Sequence, residues 1–576
     1  MPGHRQPKSL VVLSLGRVCE QLDGTCRRLQ SLSQRSTAAQ ALALAKRVIR
    51  PYYVNALPTR LRSRVIEEAS RTLCLPLPDE PHVVSEPAIL FLLCLLLDRD
   101  IKRLKVQLCC YYGCSYQTSL LELLASEGTG LESLHLFRYS LLRMDCNLLR
   151  TALSSMRNLT ILTLRNIASD AMLRVIGKTC PKLVILDVAC SREVTDAGLK
   201  QLLLQVEFRD KVFAAVPART NWSRLRRLLA RWRRRTSDPK SERKRNNVLL
   251  EYHESKNPLC GTLRALNIAD TCVTEAGVSL ALLNITQLES LAEYKYIGHV
   301  METVDVGRSP LSLTEAITCE TTPVQLKLLA QMCPRMTKLS ISEPWHYPAA
   351  LRVFPHLTSL SMHNILATKE WLENLYGYLR AHGHNLHELG LWMTEQRKSP
   401  LQVDLREILS SCPNLQTLVN DGAKVVWTEG QDPPPPPLKY LRKVELGHTV
   451  DALTITKVFS LAPELTALHI HSCLDLTNQH LEKLLEPSVG SDDDEKLNDR
   501  RDSTLSNLTC FYIHEASKVS AITVLNMINS YKRLRRIGNL ANWVLDYESV
   551  AITVARANLN VDLCSGPHWN WDNCIQ

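Results

Sequence analysis

Cysteine and histidine are the side chains whose number could support chemistry: the chain of 576 residues holds nineteen Cys and seventeen His. Two clusters have the look of metal ligands, "CCYYGC" (Cys109 to Cys114) and "HIHSC" (His469 to Cys473). A zinc site needs paired short spacings, such as Cys-x-x-Cys followed by a second Cys or His pair. Neither cluster has them, so no metal is assigned. The sequence also has no Gly-rich phosphate loop, no His-Glu-x-x-His and no nucleophile elbow. No catalytic residue and no cofactor are expected. The chain is read as a protein that binds and does not catalyse.

Binding requires side chains held in a fixed array. The candidates are His363, Glu388, Trp392, Glu445, His469, His471, Tyr512 and His514. Each lies between or beside the leucines of a recurring pattern, Leu-x-x-Leu-x-Leu with conservative replacements. The pattern begins at Leu131, Leu159, Leu183, Leu263, Leu288, Met336, Leu357, Leu386, Leu415, Leu441, Leu465, Leu508 and Leu534. Most intervals are 21 to 29 residues, the period of leucine-rich repeats. The 80 residues before Leu263 fit one repeat plus an insertion, and the 43 before Leu508 fit one repeat plus an acidic insertion. The 48 before Met336 fit two repeats, one degenerate. A unit of one strand and one helix cannot bury its apolar face alone, and stacking gives a shared core and a curved array. The expected fold is α/β: a leucine-rich-repeat solenoid, with a curved parallel sheet and outer helices, over 101–576. A small helical region over 1–100 precedes it. Target binding is expected on the concave strand face.

Composition agrees. Hydrophobic content is 45% and charged content 22%, ordinary for a folded chain. The longest apolar run, Ala88 to Leu97, is too short to span a bilayer and suits a buried helix. The apolar opening from Ser9 to Leu22 is interrupted by Arg17 and followed by Asp23, which speaks against a secretion signal. A cytoplasmic or nuclear location is therefore expected, with the cysteines reduced and acting as small buried hydrophobes. The net charge of +11 is local: Arg219 to Arg245 carries twelve Lys/Arg against two Asp/Glu. That stretch lies in the insertion near 207–258, and nucleic-acid binding through it is not expected because the remainder is near neutral. The proline run 433–437 reads as a stiff spacer and 487–504 as an acidic loop.

The stretch "CPKLVILDVACSREVTDAGLKQL" (Cys180 to Leu202) resembles the cysteine-containing leucine-rich repeats of ubiquitin-ligase substrate receptors. Its Thr195 suits a helix N-cap, with Asp196 in the first turn. The amino terminus resembles the elongin B/C-binding box, Ser/Thr/Ala/Pro-Leu-x-x-x-Cys-x-x-x-aliphatic, in two registers. One uses Ser9, Leu10, Ser14 and Val18, with Ser14 standing in place of the cysteine. The other uses Ser14, Leu15 and Cys19, with Asp23 at the aliphatic position. The first is preferred because Leu10, Leu13 and Val18 form one helical face. Further on, Leu57, Pro58, Leu61 and Val65 resemble a cullin 2 box. The resemblance implies a substrate-recognition subunit whose partners are elongin C, elongin B, cullin 2 and a protein target. Two alternatives stay open: an F-box-like receptor with a Skp-type adaptor, since "LPTRLRSRVIEEA" also resembles an F-box start, and a leucine-rich-repeat scaffold unrelated to ubiquitin.

Overall fold

The computed structural model of the chain describes residues 9–73, 86–108, 115–138, 145–207, 253–304, 310–344, 347–394, 401–429, 435–485, 507–516, 518–543 and 545–563. The cluster Cys109 to Cys114, the basic stretch Arg219 to Asn247, Pro433, Pro434 and the acidic loop 487–504 lie outside these residues. Among the described residues no helix is long and apolar enough to cross a membrane.

The first part is helical: α1 (Leu10–Arg35), α2 (Ala38–Leu44), a π-helical turn (Ala45–Ile49), α3 (Arg50–Ala56), α4 (Thr59–Leu73) and α5 (Glu86–Leu96). Ser9 caps α1 by accepting from the Val12 amide. Cys19, Leu22, Cys26, Leu29 and Ser33 recur at three- and four-residue steps and form its buried stripe. That stripe packs on α2, α4 and α5, which is apolar from Ala88 to Leu96. Thr37 and Gln40 form a reciprocal capping box that starts α2. Pro58 precedes α4, and its carbonyl accepts from the Leu61 and Arg62 amides. One arginine, Arg50, ties this region to the solenoid through Glu127, and a second, Arg62, closes the region internally through Asp98. Arg50 donates to Glu127 and to the Leu97 carbonyl, and the buried Arg62 lies 2.6 Å from Asp98.

The second part is a parallel strand array. In chain order its strands are β1 (Arg103–Leu108), β2 (Ser133–Arg138), β3 (Ile161–Arg165), β4 (Ile185–Asp187), β5 (Leu204–Glu207), β6 (His253–Lys256), β7 (Ala265–Asn267), β8 (Glu315–Cys319) and β9 (Lys338–Ser342). They continue as β10 (Ser359–Ile365), β11 (Glu388–Met393), β12 (Gln402–Asp404), β13 (Thr417–Asp421), β14 (Lys424–Val426), β15 (Lys443–Thr449), β16 (Ala467–Ser472), β17 (Cys510–Glu515) and β18 (Arg536–Ile537). One sheet runs β1-β2-β3-β4-β7, and a second runs from β8 to β18 through β9, β10, β11, β13, β15, β16 and β17. The pattern beginning at Leu288 joins them. Glu289 and Ser290 donate to the Arg264 carbonyl, and Thr314 and Glu315 donate to that of Glu289. A helix follows most strands and covers the leucine side, so the register defines a leucine-rich-repeat solenoid. The degenerate repeat before Met336 contains β8, and the buried Leu313 lies two residues ahead of that strand.

Both long intervals are excursions from an unbroken ladder. β4 pairs directly with β7, and β16 with β17. The first excursion leaves through the antiparallel hairpin β5–β6, in which Glu207 and His253 are Cα partners.

Local chemistry explains the repeat's signature residues. Cys180, Cys333 and Cys412 each terminate a helix with ψ near 67°, and each is followed by Pro, which bars α-helical backbone at the preceding residue. The thiols fill the closing turn, and burial pushes Cys180 up to about 11 and Cys333 and Cys412 up to about 12. The Thr-Asp/Glu-Ala-Gly helix starts lock neighbouring repeats. Asp170 accepts from the Thr195 amide and hydroxyl at 2.8 and 2.7 Å, and Asp196 does the same for Thr274 at 2.8 and 2.6 Å. A Cβ on Gly198 or Gly277 would lie 2.0 or 2.2 Å from those carboxylates, so glycine is required there. Thr195 also caps its own helix, whereas the Thr274 hydroxyl makes no cap bond.

Candidate functional site

Two surfaces carry the residues singled out in the sequence. The first is the start of α1. Ser9 caps it, yet its buried residues begin only at Cys19. Leu10 is 79% exposed, and Val11, Val12 and Leu13 are exposed too. Ser14 is exposed, Leu15 and Val18 are half-buried against the helical core, and Cys19 is buried. Burial, then Glu68, pushes the Cys19 thiol up. In one register the anchor Leu10 is therefore free, whereas in the other Leu15 and Cys19 already pack within the chain.

The second motif falls at the α3–α4 junction. Leu57 is half-buried, Pro58 and Leu61 are exposed, and Val65 is buried. The expectation that Val65 faces a partner is corrected: with Ile66 and Ala69 it forms the inner stripe of α4 and belongs to the core.

The other surface is the strand side of the second sheet. Side chains flanking the last leucine of each strand line up in rows, because in-register parallel strands stand about 4.8 Å apart. One row runs Val419, Glu445, His469, Tyr512 as successive Cα partners. Glu445, His469 and Tyr512 were expected to be open to a target and are buried instead, His469 to 1% exposure. Large side chains one strand apart cover each other. Lys443 Nζ lies 2.6 Å and His469 Nδ1 3.4 Å from Glu445 Oε1. The Tyr512 ring meets His469 edge-on at 6.4 Å. Burial pushes the Glu445 carboxyl up, but His469 and Lys443 outweigh it and hold it below the ordinary carboxylate range.

The next row is accessible. His363 and Trp392 are half-buried and stack at 4.1 Å. His471 is exposed and stacks on the half-buried His514 at 5.2 Å. His514 is held by Asn539, Asn542 and the Tyr512 hydroxyl. Desolvation lowers the His363 pKa, which favours its neutral ring. Glu388, exposed, accepts from the Ser359 hydroxyl at 2.8 Å. Sequence reading missed Gly390, Asp421 and Gly447. The Trp392 ring lies across Gly390, where a Cβ would sit 2.4 Å from it, and Asp421 lies across Gly447 in the same manner. The available signal was a glycine inside a strand pattern, which marks close approach of a neighbour.

No protein-family model matches the sequence, and no curated protein matches it. Similar solved structures include the complex of Rad7 and Elc1 from yeast, at 15% identity over 80% of this chain and 93% of that one, TM-score 0.37. A leucine-rich-repeat protein of Leptospira interrogans is similar at 13% identity over 85% and 94%, TM-score 0.32. An internalin of Listeria monocytogenes is similar at 13% identity over 54% and 82%, TM-score 0.32. At these identities and scores the likenesses carry no argument about partners. The class, a leucine-rich-repeat solenoid with a helical amino-terminal region, rests on the strand register and helix packing.

Proposed function

We propose that the chain is the substrate-recognition subunit of a ubiquitin ligase of the elongin B/C and cullin 2 type. The observation that carries this reading is the open start of α1, where four consecutive apolar residues, Leu10 to Leu13, stand in solvent. Such a turn fits a helix-in-groove contact with an adaptor. Burying one leucine there contributes about 1.5–3 kcal/mol, or about ten- to a hundredfold in affinity. The free Leu10 favours the register Ser9, Leu10, Ser14, Val18. Leu57, Pro58 and Leu61 are the cullin-facing residues, with Val65 supporting them from the core. The target is held on the concave face by His363, Glu388, Trp392, His471 and His514. Catalysis comes from the partners of the cullin, and the subunit works in the cytoplasm or nucleus.

The test is purification of the tagged chain from cells with quantitative mass spectrometry. Leu10→Ala with Leu15→Ala, which covers both registers, should lose elongins B and C. Leu57→Ala with Pro58→Ala should keep the elongins and lose the cullin. Trp392→Ala with His471→Ala should keep both and lose the target. A parent chain that brings down a Skp-type adaptor, or no adaptor at all, sinks this reading in favour of the F-box-like receptor or the scaffold.

A further inference from the structure

The middle repeats hold a cavity of about 950 Å³ on the edge where strands turn into helices. Its walls come from the turn after β7 and from Glu293 to Tyr296 of the next repeat. Three carboxylates line it, Asp270, Glu275 and Glu293, against one ammonium, Lys295. Glu293 is already held by Arg165, whose Nη2 lies 2.5 Å away while its Nε donates to Asp187 at 2.7 Å. Asp270 and Glu275 are exposed and have no ion-pair partner among the described residues. Beside them Tyr296 is 52% exposed and meets Tyr294 edge-on at 6.2 Å. Burial pushes the Tyr294 hydroxyl up to about 12, and the charge of Glu275 adds to the shift.

An anion is repelled by this lining, and an apolar ligand would strip water from carboxylates without repaying it. A cation is attracted by the carboxylates and by the ring face together. The volume exceeds one side chain and suits several residues of an extended segment. We propose that this cavity binds a lysine- and arginine-bearing segment of a partner protein, with Tyr296 as the cation–π platform and Asp270 and Glu275 as the charge partners. The assignment does not depend on the ligase reading, and its test uses the purified chain with no elongin or cullin present.

The probe is a fluorescein-labelled peptide, Gly-Ser-Arg-Gly-Lys-Gly-Arg-Ser-Gly, with a control carrying Glu at the three basic positions, read by fluorescence anisotropy. Asp270→Asn with Glu275→Gln should weaken the basic peptide about tenfold, and the control should not bind. The variant should fold, because Asp270 has φ 54° and Asn166 and Asn364 occupy the same left-handed backbone at φ 58° and 54°. Tyr296→Phe should bind as the parent does and Tyr296→Leu about fivefold more weakly. Unchanged affinity in the charge variant overturns the proposal. So does an equal loss from Glu482→Gln with Glu548→Gln, two exposed carboxylates elsewhere on the chain, since the attraction would then be diffuse. A third arm replaces 208–252 by a short turn joining Glu207 to its partner His253. If only that shortened chain binds the peptide, the chain's own basic stretch is the occupant and the partner assignment falls.

Discussion

The two ends of α1 are built from the same residue types and meet opposite fates. From Cys19 onward, Leu22, Cys26 and Leu29 are fully covered by the helical core, whereas Leu10 to Leu13 stand open. Helical propensity does not separate them, because both ends are leucine-rich. What differs is whether a second apolar surface lies opposite. α2, α4 and α5 supply one for the stripe from Cys19 to Ser33, and nothing among the described residues covers Leu10 to Leu13. A buried leucine therefore reports on folding and an open one on association, and substitution distinguishes them.

The largest effect is expected at the covered end. Leu22→Ala or Leu29→Ala should cost about 2–5 kcal/mol in urea unfolding, because each leaves a cavity in a packed core. Arg62→Ala should cost about 3 kcal/mol by leaving Asp98 without its partner, with loss read as a lower Tm. At the open end, Leu10→Ala with Leu13→Ala should change stability by less than about 0.5 kcal/mol. A stability loss there as large as that of Leu22→Ala would show that the turn is covered and would remove the basis for docking. The smallest effect concerns Glu127. The Arg50 hydrogen bond outweighs burial and holds its carboxyl below the ordinary range. A lowered folded pKa adds stability that is present above the unfolded value, about 4.3, and is lost as pH falls through the folded one. Glu127→Gln should therefore melt lower than the parent at pH 7, with the gap closing under acid. A gap independent of pH would mean that the pair contributes through packing alone.

Every pattern start read in the sequence lies two residues ahead of a strand or, at Leu288, of a single bridge at Ser290. Period and leucine spacing were enough because each repeat solves the same packing problem. β1 was not read, although Ile101 and Leu104 keep the spacing and are buried. The candidate site was less legible. Strand periodicity put His469 and His471 on the same face, two residues apart, but could not say that one would be covered and the other open. That depends on what stands on the next strand: Glu445 and Tyr512 flank His469, whereas at His471 the ladder with the preceding strand shifts register between Leu446 and Thr449. The Asp270–Tyr296 cavity was invisible for the same reason, since its walls come from turns whose side chains follow no period.

The direct pairing of β4 with β7 has a kinetic consequence. Bringing these strands together closes a loop of about 80 residues, where most neighbours close about 25. Loop-closure entropy makes that step about 1 kcal/mol costlier, or about fivefold slower. Zipping along the array should pause at this seam. Strands β1 to β4, with the helical region at their edge, can then order as a first nucleus while the later repeats assemble as a second. The joint between the two would form last on folding and open first under force.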